Sequence, residues 1–345
     1  MKNFENWAVV ARKDDTGFGR CAADIRSVLG LGYHFVCPSD RIEGRTPNGI
    51  NEFSLNPDFS NDELAKLLRK VKGIIFFETY GTWHPELLRV ARACNVKTVC
   101  VPMWEWFRGE DPMWKLCDLF ACPSQFTVGI VERYGWKNAR YVPWAVDLSK
   151  FEPRQIRGLA RHFIHNAGLV DRDDRKGTRD AIAAFKKVKR NDIRLTVRMQ
   201  KDVPLPKLDD RIQVNVGNLA DPADLYRFGD VAIQPSKMEG IGFMVLEPVA
   251  SGIPVITTNY PPMNEFVRQP EMLTKLKWFE RRAFASNWVK HSHLRLCRIS
   301  DLARRIEWCA ENDMAPISTS NRSFAETAFD ADRLRMLWGE ALGSY

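Results

Sequence analysis

Short apolar, β-branched runs alternate with amphipathic helical patterns through the first 150 residues. WAVV, YHFV, GIIFFE, VKTVCVP and LFAC read as strands, and stretches such as NDELAKLLRKV separate them. This succession predicts βαβα units and a parallel sheet. Helix starts are marked as well: Ser60 precedes Glu63 by three positions, and Ser124 opens QFTVGIVERYG, which closes on Gly135. Around YVPWAVDLSKFEPRQIRG the pattern breaks. It restarts with the strand HFIHNAG, the helix TRDAIAAFKKVK and the strands IRLTVRM and RIQVNVG. A helix opened by Asp221 and Pro222 follows, then the strands VAIQPS and IPVITTN. The expected division is 1–153 for a first lobe, completed by a C-terminal helix over 325–345, and 154–324 for a second. Two doubly wound lobes in tandem are expected to leave a cleft between them.

A chain of 345 residues with 45% hydrophobic content agrees with two globular domains. The N-terminus has no signal-peptide pattern and no run of eighteen apolar residues occurs, so a cytoplasmic protein is expected. The eight cysteines lie scattered in apolar contexts with no CxxC pair, which predicts reduced core cysteines and no zinc site. The formal net charge of +8 changes the picture more. It favours a polyanionic partner, whether nucleic acid, anionic membrane or nucleotide.

Candidate chemistry concentrates in MEGIGFMVLEPVASGIPV, Met238 to Val255, which sets Glu239 and Glu247 eight positions apart among glycines and apolar residues. Ionised side chains in so apolar a segment need a partner or a ligand. With VAIQP as a strand and a helix from about Gly242, Glu239 falls in the loop at a strand's carboxyl end, where open α/β sheets bind ligands. Glu247 falls on the helix. At helical rise the two are ~12 Å apart, so one ligand with two polar ends reaches both. Gly240 and Gly242 allow close backbone approach, and the helix N-terminus offers free N–H groups to an anion. A sugar nucleotide has these features. A buried loop with a helix-capping glutamate is the structural alternative.

Over DLYRFGDVAIQPSKMEGIGFMVLEPVASGIPVITTN, Asp224 to Asn259, the chain resembles the E-x7-E signature of retaining glycosyltransferases of the GT-B fold, family 4-like. HFIHNAG…RKGTRDAIAAF resembles the first strand and helix of their nucleotide-binding lobe, and NRSFAETAFDADRLRMLWGEAL their terminal crossing helix. The resemblance implies an α/β fold of two Rossmann-like doubly wound lobes facing a central cleft, with a nucleotide sugar, most often a UDP-sugar, as co-substrate and no cofactor or metal. It also implies that Glu239 contacts the transferred sugar, Glu247 the ribose hydroxyls, and the amides from Gly240 to Phe243 the sugar or phosphate. Lys176, with Arg175, would neutralise the diphosphate. Where the family usually has an arginine, Leu169 follows Gly168, which leaves Arg172 and Arg198 as candidates for the second phosphate cation. Pro248 lies inside the presumed helix and is expected to kink it.

Other motifs carry competing readings. Gly17, Gly19 and Ala22 fit GxGxxA with Asp40 twenty-one residues after Gly19, the spacing of a dinucleotide site. Lys13, Asp14, Asp15 and Thr16 nevertheless separate the strand from the glycine, and two carboxylates would face the pyrophosphate. The resemblance places Gly17 and Gly19 at the cleft instead. VPMWEWF follows a strand, so Trp104, Glu105 and Trp106 are candidates for acceptor contact, with ordinary lobe packing as the alternative. His84 before Pro85 reads as a helix-entry residue. From Lys275 to Arg305, nine lysines and arginines stand against two acids and are interleaved with Trp278, Phe279, Phe284 and Trp288. Such a stretch suits a solvated face, a nucleic-acid groove or an anionic membrane surface.

The expected activity is transfer of a sugar from a nucleotide diphosphate sugar with retention. The leading expected acceptor is a hydroxymethylated pyrimidine in DNA, as in the DNA glycosyltransferases of bacterial viruses. A glycan or lipid-linked sugar at a membrane is the alternative. An epimerase or phosphorylase on a similar fold, and a nucleic-acid-binding protein with a degenerate sugar site, are the more remote ones. No obligate protein partner is evident in the sequence.

Overall fold

The strand-like runs of the first 150 residues pair side by side in one sheet. In the computed structural model residues 4–14, 17–38, 46–144, 146–219, 221–283 and 293–343 are described. The chain divides into two units, residues 1–147 with 329–345 and residues 148–328. The first unit runs β1 (Trp7–Arg12), α1 (Gly17–Leu29), β2 (Tyr33–Cys37), β3 (Glu52–Ser54), α2 (Asn61–Leu68) and β4 (Gly73–Phe77). It continues with α3 (Leu87–Ala93), β5 (Lys97–Val101), β6 (Leu119–Cys122), α4 (Gln125–Arg133) and β7 (Ala139–Tyr141). The strand order is β3-β2-β1-β4-β5-β6-β7 and every pairing is parallel. β4, GIIFF, is buried throughout, as a central parallel strand covered on both faces must be. Helix starts follow the sequence. Ser60 accepts from the Glu63 amide at 3.3 Å while Glu63 accepts from the Ser60 amide at 2.8 Å, and Ser124 caps α4 from the Thr127 amide at 3.1 Å.

The second unit runs β8 (His162–Gly168), α5 (Thr178–Lys187), β9 (Arg194–Met199), β10 (Ile212–Val216), β11 (Val231–Gln234), α6 (Phe243–Ala250), β12 (Val255–Thr258) and β13 (Leu273–Thr274). A short antiparallel pair, β14 (Arg281–Arg282) with β15 (His293–Leu294), precedes α7 (Ile299–Glu311) and α8 (Ala315–Ala328). The sheet order is β10-β9-β8-β11-β12-β13, again parallel. In each sheet the order reverses beside the first strand, between β1 and β4 in one and between β8 and β11 in the other. Such a switch point opens a crevice outside the carboxyl ends of the strands, where ligands of open α/β sheets bind.

Three expectations change. Asp221 and Pro222 open only a 3-10 turn, Pro222–Tyr226, in which Asp221 caps the Ala223 amide at 2.9 Å. The expected terminal helix is two: α8 stops at Ala328, and α9 (Ala331–Gly343) starts afresh, with the Asp330 carboxylate accepting from the Arg333 amide at 2.7 Å. α8 packs on α6 and α9 on α1, so the break between them lets one tail serve both units. The chain changes unit after Asp147 and after Ala328, a few residues from the expected limits after Pro153 and residue 324. All eight cysteines are free and all but Cys94 are buried. Burial pushes the thiols of Cys117 and Cys297 up to about 12, so they remain thiols.

Candidate functional site

Two loops at the second unit's switch point are knitted together. The first follows β8 and carries Asp171 to Gly177. The second follows β11 and carries Pro235 to Gly242. The first loop curls on itself, because the Asp174 amide donates to Asp171 O at 3.1 Å and the Gly177 amide to Asp174 O at 2.9 Å. Asp174 sits at φ 51°, a conformation that aspartate tolerates better than most side chains. Its carboxylate caps α5, accepting from the Thr178 amide at 2.8 Å and the Arg179 amide at 3.2 Å. Gly177 has φ 73°, and a Cβ there would lie 2.4 Å from Pro235 O. Only glycine lets the second loop approach so closely.

That approach brings the charged groups together. The Lys237 amide donates to Arg175 O at 2.7 Å. The Lys237 ammonium, in a residue 6% exposed, lies 3.1 Å from Asp174 Oδ2 and 3.3 Å from Asp180 Oδ2. Next to it the Lys176 ammonium donates to both carboxylate oxygens of Glu239, each at 2.7 Å. Two ion pairs therefore pin the loops side by side, with alternating sign. A buried lysine needs this company, because an isolated ammonium loses its hydration at a cost of several kcal/mol.

Gly242, at φ 87°, is the N-cap of α6, and its carbonyl accepts from the Val245 and Leu246 amides at 2.8 and 3.0 Å. A Cβ at Gly242 would meet nothing nearer than Glu239 Cβ at 3.8 Å, so the backbone angle and not space demands glycine. Gly240 is buried in the loop and Phe243, half-buried, is the first residue of α6. Glu247 lies one to two turns into α6 and is 1% exposed. Its Oε2 accepts from the Tyr226 hydroxyl at 2.7 Å. Pro248 sits inside α6, and its helix ends two residues later.

The remaining candidates divide. Arg175 is half-buried and pairs with Asp171 at 3.3 Å, and Arg172 is exposed on the same loop. Arg198 is half-buried on β9, in register with Asn166 of β8. In the first unit, Gly17 is the first residue of α1, and a Cβ on Gly19 would lie 1.9 Å from Asp14 O, so Gly19 serves the close return of the β1–α1 loop. Asp15, Thr16 and Asp40 lie outside the described residues, as do Phe284 and Trp288 of the basic stretch. Trp104 is 4% exposed and meets Phe126 edge to face at 5.1 Å, so packing and not stacking on a ligand occupies its ring. Glu105 is buried and Trp106 half-buried. His84 is buried, one ring nitrogen 2.9 Å from Phe59 O and the other accepting from the Glu86 amide at 3.1 Å. Among the described residues no group of three or more His, Cys, Asp or Glu is placed to hold a metal ion.

Lys237, Asp174 and Tyr226 were not singled out from the sequence. A lysine two positions before Glu239 in an apolar run is a readable signal for the first. Nothing in DLYRF marks Tyr226 as the partner of a glutamate twenty-one residues on.

Residues 161–286 match the family model described as glycosyl transferases group 1. Over 233 residues the chain is 24% identical to the putative colanic acid biosynthesis glycosyltransferase WcaL of Escherichia coli K12, covering 60% of this chain and 54% of that protein. It thus spans about half the length of that relative. The fold is similar to that of HepE from Anabaena, solved in complex with UDP, with a TM-score of 0.72 at 12% identity over 98% of this chain and 99% of that one. It is similar as well to the lipopolysaccharide outer core galactosyltransferase WaaB, with a TM-score of 0.67 at 12% identity over 98% and 99% of the two chains. Each of the two units is thus a Rossmann-like parallel-sheet α/β domain of the GT-B glycosyltransferase fold, and residues 161–286 of the second carry the sequence pattern of glycosyl transferases group 1.

Proposed function

We propose that the chain is a retaining glycosyltransferase of the family 4 type that takes its sugar from a nucleotide diphosphate sugar held on the second unit. The observation that supports this most is the meeting of Lys176 and Glu239 at 2.7 Å, from two loops at one switch point, with Glu247 on the helix that follows. Lys176 and the first amides of α6 attract the diphosphate, Glu239 accepts hydrogen bonds from the sugar hydroxyls, and Glu247 accepts from the ribose. As the sugar leaves, charge grows on the diphosphate, and a cation and N–H dipoles already in place stabilise it without reorganisation. In the free protein the Lys176–Glu239 bond satisfies both groups, and the arriving donor exchanges it for two new ones. Arg175 neighbours Lys176 on the same loop, and Arg172 and Arg198 remain candidates for the second phosphate cation. The similar structure of HepE was solved with UDP-glucose, so a UDP-sugar is the first donor to try.

For the acceptor, the names of the relatives favour a bacterial surface glycan or its lipid-linked precursor, since one belongs to colanic acid biosynthesis and another to the lipopolysaccharide outer core. They lend no support to the DNA acceptor expected from charge. Half-buried Trp106 and the β1–α1 loop at Gly17 are the first unit's candidates for acceptor contact. The test is incubation with labelled UDP-glucose and UDP-galactose against lipid-linked glycan acceptors and hydroxymethylated DNA, with the anomeric configuration of the product read by NMR. A retained configuration on a glycan is the expected result. An inverted product, or no release of free nucleotide with any of these donors and acceptors, contradicts the reading.

A further inference from the structure

Between β13 and α7 the chain makes an excursion whose outgoing arm exposes aromatic surface just before β14. Trp278 is 90% exposed and Phe279 45%. A tryptophan left in water at this level is an unusual expense in a folded chain, and adjacent exposed aromatics mark an interaction surface. This bulge rests on a fixed base. Leu276 bridges Cys297, the Lys277 amide donates to Leu296 O at 2.8 Å, and the Arg298 amide donates to Lys275 O at 2.8 Å. Basic residues surround it. Lys275 and Arg282 are exposed, and the Lys277 ammonium stands 5.6 Å from the Phe279 ring centre. Glu280, the acid among residues 275–283, is paired with Arg295 and so contributes little net negative charge.

We propose that this aromatic bulge docks the protein on an anionic membrane surface, with Trp278 and Phe279 inserted at the headgroup level and Lys275, Lys277 and Arg282 over the lipid phosphates. Trp is suited to that depth because its ring is apolar and its N–H polar, and each lysine or arginine adds attraction to an anionic leaflet. The alternative of a nucleic-acid surface fits the geometry less well. Stacking platforms present ring faces to successive bases along a groove, whereas these two rings meet at 77° with centres 5.3 Å apart on a single turn. Exposed aromatic rings with basic side chains on neighbouring residues suit an anionic interface. The same excursion reaches the loop that carries Lys176, since Arg281 donates to Asp173 O at 2.8 Å. The docking claim itself does not depend on the transfer reading.

The experiment is sedimentation of the full chain with vesicles of phosphatidylcholine alone and of phosphatidylcholine mixed with phosphatidylglycerol, at low and high salt. Wild type is expected to bind the anionic vesicles, weakly at high salt, and to leave the neutral ones in solution. Trp278→Ser with Phe279→Ser should lower partitioning about tenfold. Lys277→Gln with Arg282→Gln should lower it about fivefold per charge and flatten the salt dependence. Ile50→Ser, at a residue 89% exposed in the other unit, should change nothing. Melting temperatures confirm that the variants, all at exposed or half-buried positions, remain folded. Failure to bind anionic vesicles, binding that the aromatic and basic variants do not weaken, or an equal loss in Ile50→Ser overturns the proposal. Binding of a single-stranded oligonucleotide in place of vesicles, lost in the Trp278 and Phe279 double variant, overturns it in favour of nucleic acid.

Discussion

The Lys176 ammonium is bonded to both carboxylate oxygens of Glu239, 2.7 Å from each, while the two side chains differ in exposure, 21% against 7%. Removing the lysine takes a bidentate partner from a nearly buried carboxylate. Removing the glutamate's charge leaves an ammonium that water can reach. Lys176→Met should therefore lower stability by about 2–3 kcal/mol, and Glu239→Gln by about 1 kcal/mol or less. Both should lose most transfer activity. Thermal melts of the two variants decide it, and equal losses of stability would contradict the burial argument.

Tyr226 orients Glu247 by a 2.7 Å hydrogen bond in a site where both residues are almost fully buried. Tyr226→Phe should weaken donor binding several-fold, about 1–2 kcal/mol, with a smaller effect on kcat, because the ribose contact proposed for Glu247 would be made in ground and transition state alike. In Glu247→Ala the same tyrosine change should add little. Donor KM and kcat for the two single variants and the double variant test this, and full additivity would separate Tyr226 from Glu247.

Asp174 does two jobs that substitution separates. It caps α5 at a backbone angle of φ 51°, and its charge holds the buried Lys237. Asp174→Asn keeps the cap and tolerates the angle but loses the charge, whereas Asp174→Ala loses all three. The expected order of stability is wild type, then Asn, then Ala, with the Ala variant about 1–2 kcal/mol below Asn. Denaturant midpoints measure the order, and Ala equal to Asn would remove the cap from the account.

Acid should weaken the first unit through His34 and Glu52, register partners on β2 and β3. Burial is the largest influence on His34 and brings it down to about 4, with the Ala11 carbonyl opposing. For Glu52 burial acts upward, but bonds from Lys13, the Asn48 and Gly49 amides and Arg26 outweigh it and hold the carboxyl at about 2. Both values lie below the ordinary ones, so the unfolded chain binds more protons and stability falls with pH. The His34 contribution is complete above about 6.5 and is lost towards 4, with that of Glu52 following from about 4.5 down to 2. Between pH 6.5 and 5 the loss should be about 2 kcal/mol. His34→Gln should flatten that slope. A variant as acid-sensitive as wild type would place the effect elsewhere.

The central strands were legible because parallel strands covered on both faces are unbroken apolar runs, as GIIFF shows. β3 and β7 were not, since three-residue edge strands with exposed positions carry no periodicity. The glutamates stood out because charge in an apolar run is conspicuous, and the fold puts Glu239 in the β11–α6 loop and Glu247 on α6 as the spacing implied. Their partners Tyr226 and Lys176 come from other elements, and contacts across the sheet leave no local trace. Trp104 shows the converse. A tryptophan after a strand reads equally as a ligand contact or as core, and packing against Phe126 decides for core.

Binding of a nucleotide sugar by the second unit through Lys176, Glu239 and Glu247, as proposed, is measured by the melting temperature of the purified chain across a concentration series of nucleotide sugars, UDP-glucose first, since a ligand of the native state raises stability with the logarithm of its concentration over Kd. At least one nucleotide sugar should raise the melting temperature of wild type, and Glu247→Ala should lose that rise while keeping its fold. A wild type that no nucleotide sugar stabilises, or a Glu247→Ala variant stabilised as much as wild type, would contradict the account.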